Sequence, residues 1–333
     1  MIRSLLRLTT VPDKFALFGL MRSLRGQMRI GTASALVRCG AMVHLSKPCT
    51  LGELVEALDI QEVEMLQHLL ELGVRLRLLR RRGGRYVAKS QLARCLARPG
   101  ENPVASMLVE VATYHREVFD FLPDRLRGEA PRDFLATYGP VIAISSRLME
   151  PWLFAFTRER VGESQGQRIL DIGCGSGQFL AFCAGLHSDH KGAGIEMDEG
   201  AARAANQRLE EAELANRFVV QLGDARSDAA WPEGSFDIIT AHQNVYYFDE
   251  AERTALWRKC RERLNEGGKL LIVTPTSGGP MSDYFSLILR STVHCFGLPS
   301  AQQLTSELKS AGFSQVERER MIPGDSLWGI EAR

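Results

Sequence analysis

The 333-residue sequence has no uninterrupted apolar run approaching the roughly 20 residues that a membrane-spanning helix requires. Cysteine is sparse: Cys39, Cys49, Cys95, Cys174, Cys183, Cys260 and Cys295 include no CxxC pair and have no histidine at metal-ligand spacing. That pattern argues against a disulfide framework and a zinc site, leaves no metal expected, and fits reduced thiols in a cytoplasm. Internal repeats and low-complexity tracts are absent. Charge of one sign is also lacking overall, since the net charge is only +1. At 45% hydrophobic residues the chain is no disordered polymer, and its length suits two or three domains of about 100–200 residues each.

The small net charge conceals an asymmetry. Residues 1–100 carry 17 Lys/Arg against 7 Asp/Glu, which leaves 24 against 33 for the remainder, or +10 and −9. A basic module joined to an acidic catalytic one is the organisation this implies.

The most informative stretch is Arg168-Ile169-Leu170-Asp171-Ile172-Gly173-Cys174-Gly175-Ser176-Gly177-Gln178. An apolar strand ends in an acid, and three alternate glycines lead into a helix from residue 179. Glycine permits a tight turn and close approach of backbone to a ligand, because no Cβ intervenes. Strand, Gly-rich turn and helix open a nucleotide-binding βαβ unit. A dinucleotide fingerprint would need glycine at position 178, where Gln178 stands. The Asp171 carboxylate would also repel a pyrophosphate, and it suits a ligand that carries positive charge. Asp-x-Gly-x-Gly-x-Gly closely resembles motif I of the class I S-adenosylmethionine-dependent methyltransferases. Cys174 within this loop reads as a small buried residue.

Further strands follow. Residues 191–196 end in Glu196, 25 residues beyond Asp171 and close to the spacing at which an acid accepts hydrogen bonds from a ribose; Met197 lies beside it. Residues 217–221 form a third strand, 235–241 a fourth and 267–274 a fifth, the last entered through Gly267-Gly268. Helices are expected at 201–215 and 250–264. Alternating apolar strands and helices imply a parallel sheet covered on both faces, with ligands at the strands' carboxyl ends. Asp171, Glu196, Asp224 and His242 all fall there. The family resemblance spans roughly residue 167 to the end. It implies a Rossmann-like α/β fold with a seven-stranded methyltransferase sheet, closed by an antiparallel hairpin of 313–319 and 326–332 after a helix at 304–311. It also implies that Gly173, Gly175, Gly177, Glu196 and Met197 bind S-adenosylmethionine, with Gly223, Asp224 and Ala225 at its adenine.

The N-terminal third reads as mainly helical and winged-helix-like: helices at 32–44, 50–58 and 61–72, Gly73 as a C-cap, then a hairpin of 74–79 and 85–88 around Arg82-Gly83-Gly84. Arg75, Arg77, Arg80, Arg81, Arg82 and Arg85 make the wing basic, which suits nucleic-acid phosphates. Gln61, Glu62, Glu64 and Glu71 give the third helix an acidic face that phosphate would repel. The arrangement is similar to small-molecule O-methyltransferases whose N-terminal domain mediates homodimerisation, so dimerisation is favoured and nucleic-acid binding stays as the alternative. Residues 1–30 interleave Arg3, Arg7, Lys14, Arg22, Arg25 and Arg29 with apolar side chains, as a membrane-surface or transit-like segment does, or as a helix swapped into a dimer partner.

Three domains are thus expected: 1–100 for dimerisation, a helical connector and pocket roof at 101–160, and a S-adenosylmethionine-binding catalytic domain at 161–333. By the resemblance, the connector contributes Tyr114, His115 and Tyr138 to a substrate pocket; ordinary helix packing is the competing reading of each. Phe285 and His294 belong to an apolar substrate-side insertion, His294 as a contact or as a structural residue.

Methyl transfer needs an aligned nucleophile and, for a hydroxyl, removal of a proton. Members of the resembled group often carry a histidine base in a His-Asp-Trp context after the fourth strand. Here that neighbourhood holds Tyr246 and Tyr247, while His242 sits earlier, as a base, a cofactor contact or a strand-end residue. The leading expectation is methylation, favoured at oxygen with carbon or nitrogen possible, of a small apolar or aromatic molecule such as a secondary metabolite. The alternatives are a nucleic-acid methyltransferase or DNA-binding regulator using the basic wing, and a protein that keeps the cofactor fold with a lost or changed reaction.

Overall fold

A computed structural model describes residues 13–161, 165–324 and 326–333; Arg3 and Arg7 of the basic N-terminal segment lie outside the described residues. The chain forms two compact units. Of the described residues, one comprises those up to Asp120 with Tyr138–Leu148, the other those of Phe121–Thr137 with Met149–Arg333.

The first unit holds α1 (Lys14–Arg38), α2 (Ala41–His44), β1 (Cys49–Thr50), α3 (Leu51–Leu58), α4 (Val63–Arg75), β2 (Leu79–Arg82), β3 (Arg85–Ala88), α5 (Gln91–Leu96) and α6 (Pro103–Glu110). Helix α3 begins where the sequence signals it. Thr50 Oγ1 accepts from the Glu53 amide, and the Glu53 carboxylate accepts from the Thr50 amide at 2.7 Å. The expected 32–44 helix is instead the end of α1 plus the short α2, separated by Gly40 with its left-handed φ of 80°.

Helix α4 runs to Arg75, past the glycine expected to cap it. The cap is a Schellman turn at Arg77, whose φ is +60°, with the Leu78 amide on the Gly73 carbonyl (2.9 Å) and the Arg77 amide on Val74 (3.0 Å). Gly73 stays inside the helix because Leu79 packs on it, leaving a Cβ only 3.0 Å from Leu79 Cδ1. The wing strand therefore starts at Leu79, five residues later than its periodicity suggests. The hairpin turns through Gly83 and Gly84, both at positive φ (55° and 75°), as a two-residue loop requires. Leu36, Met42, Leu54, Leu66, Leu70 and Tyr86 form part of the unit's buried core.

Helices continue with a π-helical turn (Val111–His115), α7 (Arg116–Leu126), α8 (Phe134–Ser145) and α9 (Glu150–Val161). The second unit is built on β4 (Arg168–Ile172), α10 (Gln178–Leu186), β5 (Lys191–Glu196), α11 (Glu199–Glu211), β6 (Phe218–Leu222), β7 (Phe236–Thr240), α12 (Glu250–Arg263), β8 (Leu264–Pro275), α13 (Pro280–Arg290), α14 (Ala301–Ser310), β9 (Val316–Arg320) and β10 (Leu327–Ala332).

The seven-stranded sheet has the order β6-β5-β4-β7-β8-β10-β9. Strands β4 to β8 pair in parallel, and β10 runs antiparallel to both β8 and β9. Alternation along each strand feeds two cores. Leu170 and Ile172 of β4, Ile239 of β7 and Leu270 of β8 face one layer; Ile169, Ile238 and Leu271 face the other. Strand β8 begins at Leu264, three residues before the Gly267-Gly268 turn expected to open it, because a bulge against β7 takes both glycines into the strand interior. No helix among the described residues is long and apolar enough to cross a membrane.

Candidate functional site

The order of the sheet reverses between β4 and β7, and a crevice opens beyond the carboxyl ends of strands at such a switch point. Gly173, Gly175 and Gly177 follow β4, all at positive φ (68°, 53° and 74°), and Gly177 is the N-cap of α10. The Gly173 amide donates to the Ile195 carbonyl of β5 at 2.8 Å, which fastens the loop to the neighbouring strand. A Cβ on Gly173 would lie 2.8 Å from Nδ2 of Asn244. Cys174 is buried, and desolvation pushes its thiol far up.

Asp171 is not at the strand tip, where the sequence reading put it. It lies one residue inside β4, buried, paired in register with Thr240 of β7, whose Oγ1 donates to its carboxylate at 2.7 Å. Burial raises its pKa to about 7 against the lowering effect of the Thr240 bond, and the nearby Glu196 charge adds to the rise.

Glu196 does end β5. Its Oε2 accepts from the Gly175 amide and its Oε1 from the Asp198 amide, both at 2.9 Å. Met197 beside it is 65% exposed. The Gly223 amide, just past β6, donates to the Glu196 carbonyl at 2.8 Å. Asp224 is half-buried with its carboxylate on Arg226, and Ala225 is buried.

Beyond β7, Nδ1 of His242 accepts from the Val273 amide at 2.9 Å, and the ring meets Phe179 edge-on at 4.9 Å. That bond places the neutral imidazole's proton on Nε2, a buried atom with no hydrogen-bond partner. Desolvation lowers the His242 pKa to about 3. Such a ring donates at neutral pH and has no lone pair free to take a proton, which weighs against the general-base reading. Asn244 donates from Nδ2 to the Ile172 carbonyl at 2.5 Å, and its buried Oδ1 has no partner. Tyr246 is buried, 4.8 Å from the Tyr247 ring and edge-on to Phe285 of α13 at 5.5 Å. The amide of Phe296 donates to the Tyr246 carbonyl at 2.8 Å, while His294, two residues earlier, is exposed at a φ of +61°.

Tyr114, His115 and Tyr138 belong to the first unit and gather with one another. Tyr114 stacks on Tyr138 (5.4 Å between centroids) and meets His115 edge-on. Nε2 of His115 lies 3.0 Å from the buried Glu110 carboxylate, to which Ser145 also donates. Tyr138 donates to Glu117 at 2.5 Å, a bond that raises the phenol's pKa. Tyr114 and His115 sit in the π-helical turn, a distortion frequent at functional sites.

Thr240, Asn244 and Arg226 were missed from sequence. Thr240 is signalled only by the register of β4 on β7, and Arg226 only by being a cation two residues after Asp224. In the wing, Arg81 pairs with Glu71 (2.7 Å) and Arg85 with Glu53 (3.1 Å), which offsets part of its charge. Among the described residues, no cluster of His, Cys, Asp and Glu is placed to hold a metal ion.

Residues 169–268 match a family model described as a methyltransferase domain. The chain is 28% identical over 284 residues to demethylspheroidene O-methyltransferase of Cereibacter sphaeroides, covering 78% of this chain and 71% of that protein. It is 32% identical over 160 residues to protein-L-isoaspartate O-methyltransferase 1 of Anaeromyxobacter sp., covering 47% of this chain and 70% of the relative. Human N-acetylserotonin methyltransferase, solved in complex with S-adenosylmethionine, shares the fold with a TM-score of 0.74 at 19% identity, over 97% of this chain and 98% of that one.

Proposed function

As the chain belongs to the class I S-adenosylmethionine-dependent methyltransferases, we propose that it methylates an oxygen of a small apolar or aromatic molecule, such as a secondary metabolite. The observation that carries the cofactor part of this reading is the pair of bonds on Glu196. Its two oxygens each accept one backbone amide, which leaves one acceptor position on each. A ribose diol offers two donors to match.

Other residues fit the same cofactor. The Asp171 carboxylate suits the positively charged end of the molecule. Gly173, Gly175 and Gly177 admit its close approach, and the partnerless Oδ1 of Asn244 beside Gly173 offers an acceptor to an ammonium group. Asp224 and the Ala225 amide suit the adenine, with exposed Met197 and Leu222 as apolar cover for its ring. When bound, S-adenosylmethionine supplies an activated methyl group on a sulfonium.

This chain's own residues then orient the acceptor. Tyr246, Tyr247 and Phe285 make an aromatic wall suited to an apolar molecule. His242 contributes an Nε2–H donor and no base, so the acceptor is a hydroxyl acidic enough to lose its proton to water, such as a phenol or enol. Oxygen as the accepting atom is supported by the relatives, both named as O-methyltransferases. Tyr114, His115 and Tyr138 are proposed as substrate-side residues of the connector, and His294 as structural.

We further assign residues 1–100 to a winged-helix-like dimerisation domain, 101–160 to the connector and 161–333 to catalysis. The seven free thiols suit a cytoplasmic protein. The test is incubation of the purified protein with methyl-labelled S-adenosylmethionine and a cell extract, followed by fractionation. Label on small molecules, stable to acid as an ether is, is expected; label on nucleic acid or protein alone would overturn the substrate class.

A further inference from the structure

One guanidinium holds together three elements beyond the carboxyl ends of β6 and β7. Each nitrogen of Arg226 has its own partner. Nε donates to Glu252 Oε1 at 2.8 Å, near the start of α12. Nη1 donates to both oxygens of Asp224, at 3.2 and 3.0 Å. Nη2 donates to the Tyr247 carbonyl at 2.6 Å, and the guanidinium carbon lies 4.7 Å from the Phe248 ring centre. Strands β6 and β7 are not neighbours, since β5 and β4 stand between them. Arg226 therefore ties the loop after one strand to the aromatic turn after another.

The Asp224 carboxylate is specified closely by this arrangement. Oδ1 accepts from the Arg226 amide at 2.9 Å as well as from Nη1, which fills its two acceptor positions. Oδ2 accepts from Nη1 alone, so one position remains for a single N–H donor. A planar fork with fixed donor directions can set a carboxylate in this way; a lysine ammonium, a point charge on a flexible stem, cannot.

We propose that Arg226 is a positioning residue that makes the adenine site selective for an exocyclic amino group, by presenting the one remaining acceptor of Asp224. The proposal rests on the reading of Asp224 as the adenine partner. Arg226 does not itself touch the cofactor in this role. Its removal lets the carboxylate rotate and hydrate, so that it no longer favours a donor over an acceptor at that position.

The experiment compares calorimetric binding of S-adenosylhomocysteine with that of S-inosylhomocysteine, whose ring carries an oxo group in place of the amino group. Wild type is expected to prefer the adenosyl ligand by roughly tenfold or more, the scale of one hydrogen bond to a charged group. Arg226→Ala and Arg226→Lys are expected to lose most of that preference, and Asp224→Asn to lose it or reverse it. The ratio is read on one sample, so a partly unfolded variant lowers the active fraction without changing the preference.

If Arg226→Ala weakens both ligands equally and keeps the wild-type ratio, its role is structural and the proposal falls while the Asp224 reading stands. A full preference retained by Arg226→Lys would likewise overturn positioning by the fork. Absence of any preference in wild type would overturn the Asp224 reading and the proposal with it.

Discussion

Thr240 donates a 2.7 Å hydrogen bond to the carboxylate of Asp171 across the seam between β4 and β7, where the sheet changes direction. The bond favours the ionised form, yet burial dominates and leaves the Asp171 pKa at about 7. In the unfolded chain an aspartate titrates near ~3.9. The folded protein thus holds a proton between about 4 and 7 that the unfolded chain releases. Its contribution to stability is complete below about 4 and is lost as pH rises through 7. A cationic ligand binds the ionised form better, so affinity for S-adenosylmethionine is expected to rise by up to about tenfold per pH unit towards 7 and then level off. Calorimetry at pH 6, 7 and 8 reads this directly. Asp171→Asn should bind more weakly with no such slope; a slope that survives in that variant would assign the titration elsewhere.

His242 has the opposite linkage. Its pKa of about 3 lies below the ordinary histidine value near ~6.5, so its contribution to stability is present above about 6.5 and is lost as pH falls through that window. Between about 4 and 6.5 the two residues pull against each other. The two slopes largely cancel there, so Asp171→Asn should leave a gain in stability with rising pH over that range, and His242→Asn should leave a decline. Thermal melts across pH 4–7 decide this, and unchanged profiles in both variants would contradict the burial of these groups.

The same histidine separates packing from catalysis. Asparagine at 242 can offer an oxygen to the Val273 amide, whereas leucine leaves that buried donor unpaired, at a cost of about 1–3 kcal/mol. Methyl transfer is expected to persist within roughly tenfold in His242→Asn, below the loss of 10²–10⁴ that removal of a general base produces. A larger loss of kcat with the melting temperature intact would restore His242 as a base.

Gly173→Ala tests the close approach of backbone at the loop. The residue has a φ of +68°, which costs a side-chain-bearing residue roughly 1–2 kcal/mol, and its Cβ would press on Asn244 Nδ2 from 2.8 Å. The Asn244 bond to the Ile172 carbonyl should break, with a moderate loss of stability and at least about a tenfold loss of cofactor affinity. Unchanged affinity would remove both Gly173 and Asn244 from the binding site.

How far the sequence could be read follows the range of the interactions. The glycine loop, the capping box at Thr50 and the acid ending β5 are written in consecutive residues, and their positions were legible. Features set by distant partners were not. Arg226 finds Glu252 and the Tyr247 carbonyl 26 and 21 residues away. The tautomer of His242 depends on an amide of β8, which no spacing reveals. Asp171 looks like a strand tip until β7 pairs beside it and Thr240 takes its carboxylate. The end of α4 was misplaced because a glycine signals a cap, whereas here it signals room for Leu79.

The N-terminal helix makes the remaining prediction. Along α1 (Lys14–Arg38), burial is confined to Thr32, Ala33, Ser34 and Leu36 near its end. Earlier turns leave Phe15 82%, Phe18 55% and Met21 54% exposed, while Met21, Leu24 and Met28 border an open cavity of about 570 Å³ together with Leu72 of α4 and Leu76 just past its end. Apolar side chains spaced at helical intervals and left in water cost stability in a monomer, and a second copy of the helix could cover them. Wild type is therefore expected to run as a dimer in light scattering coupled to size exclusion. Replacing Phe15 and Phe18 by Ser should yield monomers with the cofactor-binding unit still folded. A monomeric wild type would overturn the dimerisation role, and a dimer unaffected by the double substitution would move the interface away from this helix.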